Sequence, residues 1–178
     1  QRCATLGIAD PRIIMLTAET AGQAETVEQG IDHAQVDDDS ALTIFNIDTF
    51  RPGFRDPPQQ RLASLSGWLE VFRGSGANWS YVLPADDGER MAAMTAEKRE
   101  ISDLCCTGLY HFARAGDFRS ALAAERARPQ SSELYVAPLY NHLIAQGLPV
   151  GYELIERDEV IFCGTPAEYQ DVLAMPRG

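Results

Sequence analysis

Asp48 closes LTIFNID (residues 42–48), a largely apolar run. A carboxylate there is either a turn or helix-capping group or an oxygen ligand for a hard cation where a strand ends. Glu97 and Lys98 adjoin in MTAEKRE; by type alone they are a solvated charge pair. Gly22 and Gln23 open a helical stretch, Ser132 and Glu133 begin another, and Thr107-Gly108 lie within an apolar run. Nucleophilic and zinc chemistry find little support. His33, His111 and His142 share no ligand spacing and read as structural. The cysteines (Cys3, Cys105, Cys106, Cys163) form no CxxC, and no Ser-His-Asp or Cys-His constellation is evident.

The elements that must hold these residues follow from periodicity. PRIIMLT (11–17) reads as a short strand, and Ala24, Val27 and Ile31 recur at helical spacing, predicting a helix over 23–33. VDDDS is a solvated turn, and ALTIFNID a nearly unbroken apolar strand of the kind covered on both faces. Leu62, Leu65, Leu69 and Phe72 give a second helical stripe, stopped by GSG at 74–76. NWSYVLPADDGERMAAMTAEK reads as a hairpin turning at Asp87-Gly88, and LCCTGLYHFA as a strand. Two helices follow, DFRSALAAERA with Asp117 as its cap and ELYVAPLYNHLIAQG closing at Gly147. In VIFCGTPAEYQDVL a strand leads to Thr165 as N-cap, Pro166 at the first helical position and Glu168 three residues after the cap, which is a capping box. Strands alternating with helices, plus a hairpin, make one α/β domain with a mixed, mostly parallel sheet and helices on both faces.

Composition narrows the partners. At 178 residues, 45% hydrophobic and 23% charged, this is one ordinary globular domain. A formal net charge of -11 argues against nucleic acid or an anionic membrane surface as the main partner. No stretch suits a membrane span or signal peptide, so the thiols are expected to be buried and reduced in the cytoplasm. The chain opens at Gln1, without methionine and as though within a domain, so residues before it are expected.

TAGQAETV, IFNIDTF, DDGERMAAMTAEK, TGLYHF, SSELYVAPLYNHLIAQG and FCGTPAEY occur in that order. Together they resemble the sugar-1-phosphate nucleotidyltransferases, the nucleoside-diphosphate-sugar pyrophosphorylases, over about residues 17–173. GWLEVF, CCTGLY and FCGTP are most similar to the branch found with capsule and surface-polysaccharide genes. The resemblance implies a Rossmann-like fold and the reaction of an NTP with a sugar 1-phosphate to give an NDP-sugar and pyrophosphate. It also implies a glycine-rich, Arg-containing loop after the first strand and a later Pro-Lys, which hold the triphosphate. Nothing here matches that signature; GSGANWS lies later, after the 62–72 stripe. The expected domain, 1–178, thus lacks an N-terminal unit of at least about 30 residues and is expected to be inactive alone.

The resemblance assigns Asp48 as the Mg²⁺ ligand beside the α-phosphate. Gly22 and Gln23 would meet the nucleobase, Glu97 the sugar hydroxyls and Lys98 the sugar phosphate. Thr107 and Gly108 would lie under the sugar, with Glu133 near it. Glu97 and Lys98 can face one ligand only if the strand ends or bulges between them. Cys163 departs from the pattern, which has a second metal-binding aspartate there, and a thiol is a poor Mg²⁺ ligand. Either the metal rests on Asp48 and phosphates, or Asp158 substitutes, or the metal site is degraded. The implied partners are an NTP and a sugar 1-phosphate, without nucleic acid or membrane insertion, and a homo-oligomer stays open. Two alternatives also stay open: a cytidylyltransferase for another phosphorylated alcohol, and a non-catalytic sugar-nucleotide-binding or regulatory homologue.

Overall fold

Strand β6 (Leu104–Phe112) organises the molecule, because eight of its nine residues are buried and three strands pair with it. A computed structural model of the chain describes residues 5, 7, 10–55, 57, 59–86 and 88–175. On one side β6 pairs antiparallel with β3 (Gly67–Arg73), which pairs parallel with β7 (Val150–Ile155). Its other side is shared end to end. β1 (Leu42–Phe45) pairs with residues 109–112, while β4 (Ser80–Pro84) meets it at Cys105 and carries β5 (Ala92–Glu97) as a hairpin partner. Residues 106–108 therefore lie between the end of β1 and the start of β4. The backbone bond from Asn46 N–H to the Gly108 carbonyl, 3.1 Å, is made there.

Gly108 supports this opening. It has φ +94°, and β6 bulges around it, with three residues (107–109) opposite Glu70 of β3. A Cβ at Gly108 would overlap the Asn46 side chain, so glycine is required there.

Helices α1 (Gln23–His33) and α3 (Ala115–Ala127) and the turn Ala137–Leu139 leading into α4 (Tyr140–Ala145) pack on one face. Their apolar stripes meet Leu69, Val71, Val82, Cys106, Tyr110 and Phe112 of the sheet. Tyr140 stacks on Phe112 at 4.5 Å and donates its hydroxyl to the His111 carbonyl. The opposite face carries short pieces: α2 (Gln59–Leu62), the ladder of β2 (Thr49–Phe50) with β8 (Ile161–Phe162), and α5 (Pro166–Ala174) after β8. The α5 capping box forms as expected, with Glu168 N–H on Thr165 Oγ1 at 3.3 Å and Thr165 N–H on Glu168 Oε2 at 2.9 Å.

The mixed α/β architecture agrees with the sequence, and so do α1, the β4–β5 hairpin and β6. Asp87 of the hairpin turn lies outside the described residues, as does Cys3. Several elements differ. The 62–72 stripe is mostly the central strand β3, buried on both faces at 67–72; a doubly buried strand loses the alternation that distinguishes it from a helix. Of the described ladders only β3–β7 is parallel, correcting the mostly parallel sheet. Residues 11–17 form no strand. Ile13 and Met15 are 79% and 80% exposed, and no described strand pairs with this run. β1 ends at Phe45, because beyond it the chain leaves the ladder and Ile47 turns to solvent. Arg114, not Asp117, is the cap position of α3; Asp117 sits in its first turn. Ser132 and Glu133 do not begin a helix. Helical structure starts at Ala137, where Pro138 suits a first turn and restricts what precedes it.

Candidate active site

The opening beside residues 106–108 is the floor of a cavity of about 420 Å³. Gln23, Asp48, Glu97, Lys98, Thr107, Gly108 and Glu133, named from the sequence, all line it. They arrive on separate elements: the start of α1, the turn before β2, the end of β5, the β6 bulge and the loop before Ala137. Gly22 does not line it. It has φ +147°, and a Cβ there would lie 2.6 Å from the Leu134 carbonyl oxygen. The glycine thus admits Leu134, whose backbone bonds Ala21 and Ala24 at 2.9 and 2.8 Å. Gly22→Ala should therefore push the 130–136 loop outward and cost about 1–3 kcal/mol, as overpacking does; urea denaturation reads the loss.

Asp48 stands at the junction of the two small strands. Continuing the β2–β8 register sets it opposite Cys163, whose N–H donates to the Asp48 carbonyl at 2.9 Å. The Cys163 thiol donates to the same carbonyl at 3.3 Å and Cys163 does not line the cavity. The Asp48 carboxylate lies against Gly164, where a Cβ would come within 2.5 Å of Oδ2. Among the described residues it accepts no hydrogen bond, so its oxygens are uncommitted. That suits a hard cation, whose remaining ligands would come from phosphates and water. No group of three His, Cys, Asp or Glu side chains suited to a metal exists among the described residues. Asp158 is exposed on the turn Arg157–Glu159 and lies outside the lining.

Glu97 and Lys98 reach one space because the strand ends between them. Lys98 has φ +52°, a left-handed conformation costing a non-glycine residue about 1 kcal/mol. Burial pushes the Glu97 carboxyl above its usual range, against the Ser80 hydroxyl bonded to it and the neighbouring Lys98. The Lys98 ammonium donates to Tyr135 Oη at 2.6 Å; that bond, aided by nearby Glu97 and Glu133, raises its pKa and keeps it charged.

Other lining residues were not singled out from sequence. Asn46 accepts from Gln23 Nε2 at 2.6 Å, joining the walls. Trp79 and Phe162, with ring centres 4.6 Å apart, form an apolar wall. Tyr135 holds Lys98. Each lies in or beside a quoted motif, and Asn46 alone carried a visible signal, a polar side chain within an apolar run. The histidines stay outside the lining, and Cys105 and Cys106 are buried free thiols.

Two solved structures resemble the whole. A nucleoside-diphosphate-sugar pyrophosphorylase from Vibrio cholerae shares 48% identity over 98% of this chain and 73% of its own, with a TM-score of 0.89. A candidate glucose-1-phosphate thymidylyltransferase from Bacillus anthracis, in complex with a sucrose, matches over 92% of this chain and 66% of its own. Its TM-score is 0.64, and at 13% identity it bears on the fold alone. No family model matches the sequence, and no curated protein matches it significantly.

Proposed function

The chain belongs to the nucleoside-diphosphate-sugar pyrophosphorylases, and on that premise we propose that the full-length protein makes an NDP-sugar in the cytoplasm for cell-surface polysaccharide synthesis. A phosphate oxygen of the sugar 1-phosphate attacks the α-phosphorus of an NTP. The bond from that phosphorus to the oxygen bridging to the β-phosphate breaks, and pyrophosphate leaves. The observation that carries this reading is the convergence of Gln23, Asp48, Glu97 and Lys98 on one cavity.

The roles follow from the side chains. Gln23, steadied by Asn46, presents an amide to a base edge. Glu97 accepts from sugar hydroxyls, with Thr107 and Gly108 beneath the ring and Glu133 beside it. Lys98 takes the sugar phosphate. Trp79 and Phe162 offer an apolar surface to the planar or ring parts of the ligands. Asp48 would hold Mg²⁺, which when bound neutralises charge building on the transferring phosphoryl group. The sugar phosphate is already an anionic nucleophile, so alignment does the work of a general base.

A second reading, a non-catalytic sugar-nucleotide-binding homologue, draws on Cys163, a thiol turned to the Asp48 carbonyl at the position where the resemblance implies a second metal-binding aspartate. A coupled assay for pyrophosphate across the four NTPs and a panel of sugar 1-phosphates separates the two. Turnover with one pair is expected; NDP-sugar binding without turnover for any pair supports the second. Lys98→Ala should raise the KM for sugar phosphate tens of fold, about 2 kcal/mol, with the NTP KM little changed. Unchanged kinetics would return Lys98 to a solvated surface role.

A further inference from the structure

We propose that Tyr135 is half of the sugar-phosphate seat, a direct phosphate donor paired with Lys98; the inference rests on the nucleotidyltransferase reading. Lys98 Nζ lies 2.6 Å from Tyr135 Oη and 4.7 Å from the ring centre. A phenol oxygen that accepts from an ammonium keeps its own proton to donate. Among the described residues that O–H has no acceptor, and the ammonium has two further N–H groups. The pair thus turns an O–H and N–H donors toward one space, the chemistry a phosphate dianion asks for.

The surroundings sort the ligand's two ends. Glu97 and Glu133 are acceptors that would repel a phosphate and welcome hydroxyls, so the phosphate is left the Lys98–Tyr135 corner. Tyr135 is also held in place. Gln130 N–H bonds Glu125 Oε1 at 2.6 Å, and Ser131 Oγ donates to the Glu133 carbonyl at 2.7 Å. Leu134 is clamped to Ala21 and Ala24, and Val136 is fully buried. A half-buried tyrosine fixed on both sides costs little entropy when it binds.

Tyr135→Phe keeps the ring and its packing and removes only the hydroxyl. In the full-length protein, its KM for sugar 1-phosphate should rise about 10-fold, with kcat, the NTP KM and Tm essentially unchanged. Added to Lys98→Ala it should worsen KM by less than about twofold, because both act on one phosphate. An unchanged KM in Tyr135→Phe, or full multiplication in the double variant, would overturn the seat. Calorimetric binding of inorganic phosphate to the same proteins keeps the two readings apart. If turnover is absent yet phosphate binds wild type about 10-fold more tightly than Tyr135→Phe, the reaction falls and the seat stands. If turnover occurs and Tyr135→Phe binds phosphate as wild type does, the seat falls alone; wild type with neither turnover nor phosphate binding removes both.

Discussion

Asp48→Asn is expected to lower the kcat of the full-length protein by about 10³-fold, roughly 4 kcal/mol of transition-state stabilisation, and to leave its thermal stability nearly unchanged. The carboxylate lies in the cavity wall without a hydrogen-bond donor among the described residues, while the backbone of Asp48 is what ties β2 to β8. The isosteric amide keeps that backbone bond and removes the negative charge a cation needs. A turn-forming aspartate would give the opposite pattern, a stability loss of about 1 kcal/mol with activity kept by the folded fraction. Cys163 offers little rescue as Cys163→Asp. Its side chain points at the Asp48 carbonyl, so a carboxylate there would meet an acceptor rather than the cavity.

The largest stability effect should come from behind the site. Arg51 makes a fork to Glu70 (Nε–Oε1 2.8 Å, Nη2–Oε2 3.0 Å) with both side chains at or below 8% exposure, and Arg51 also donates to the Glu159 carbonyl. Glu70 in turn accepts from Thr107 Oγ1 at 3.0 Å, and Thr49 Oγ1 donates to the Thr107 carbonyl at 3.2 Å. The pair thus braces the bulge that forms the cavity floor. Arg51→Leu should cost about 3–5 kcal/mol, because it strands a buried carboxylate. Arg51→Leu with Glu70→Leu should recover much of that loss. Denaturant midpoints measure both. A single-variant loss below about 1 kcal/mol would show that water reaches the pair.

The sequence made legible those parts whose local rule and tertiary role agree. α1 and the Thr165 capping box follow their own periodicity and caps. β6 is long and apolar enough to be read directly. β3 was hidden for the reason that makes it central: burial on both faces removes alternation, and its Leu69 and Phe72 fall at helical spacing with Leu62 and Leu65 just before the strand. β7 gave no signal, because GYELI mixes polar and apolar side chains and most of its strand is only half-buried. In the site, Gln23, Asp48, Glu97, Lys98, Thr107, Gly108 and Glu133 share the cavity. The resemblance implies that Gly22 meets a base, whereas its missing Cβ admits the Leu134 backbone. Tyr135 and Trp79 owe their places to loops fixed by distant partners, which no local pattern records.

Nucleotidyl transfer can be followed atom by atom. With the NTP and sugar identified by pyrophosphate release, the sugar 1-phosphate is supplied with ¹⁸O at its non-bridging phosphate oxygens. The products are then resolved by ³¹P NMR and mass spectrometry. The expected result is an NDP-sugar that retains every ¹⁸O on the sugar-linked phosphorus, one of them now bridging to the former α-phosphorus, together with unlabelled pyrophosphate. Label in the pyrophosphate, or no NDP-sugar from any pair, would contradict attack by the sugar phosphate at this cavity.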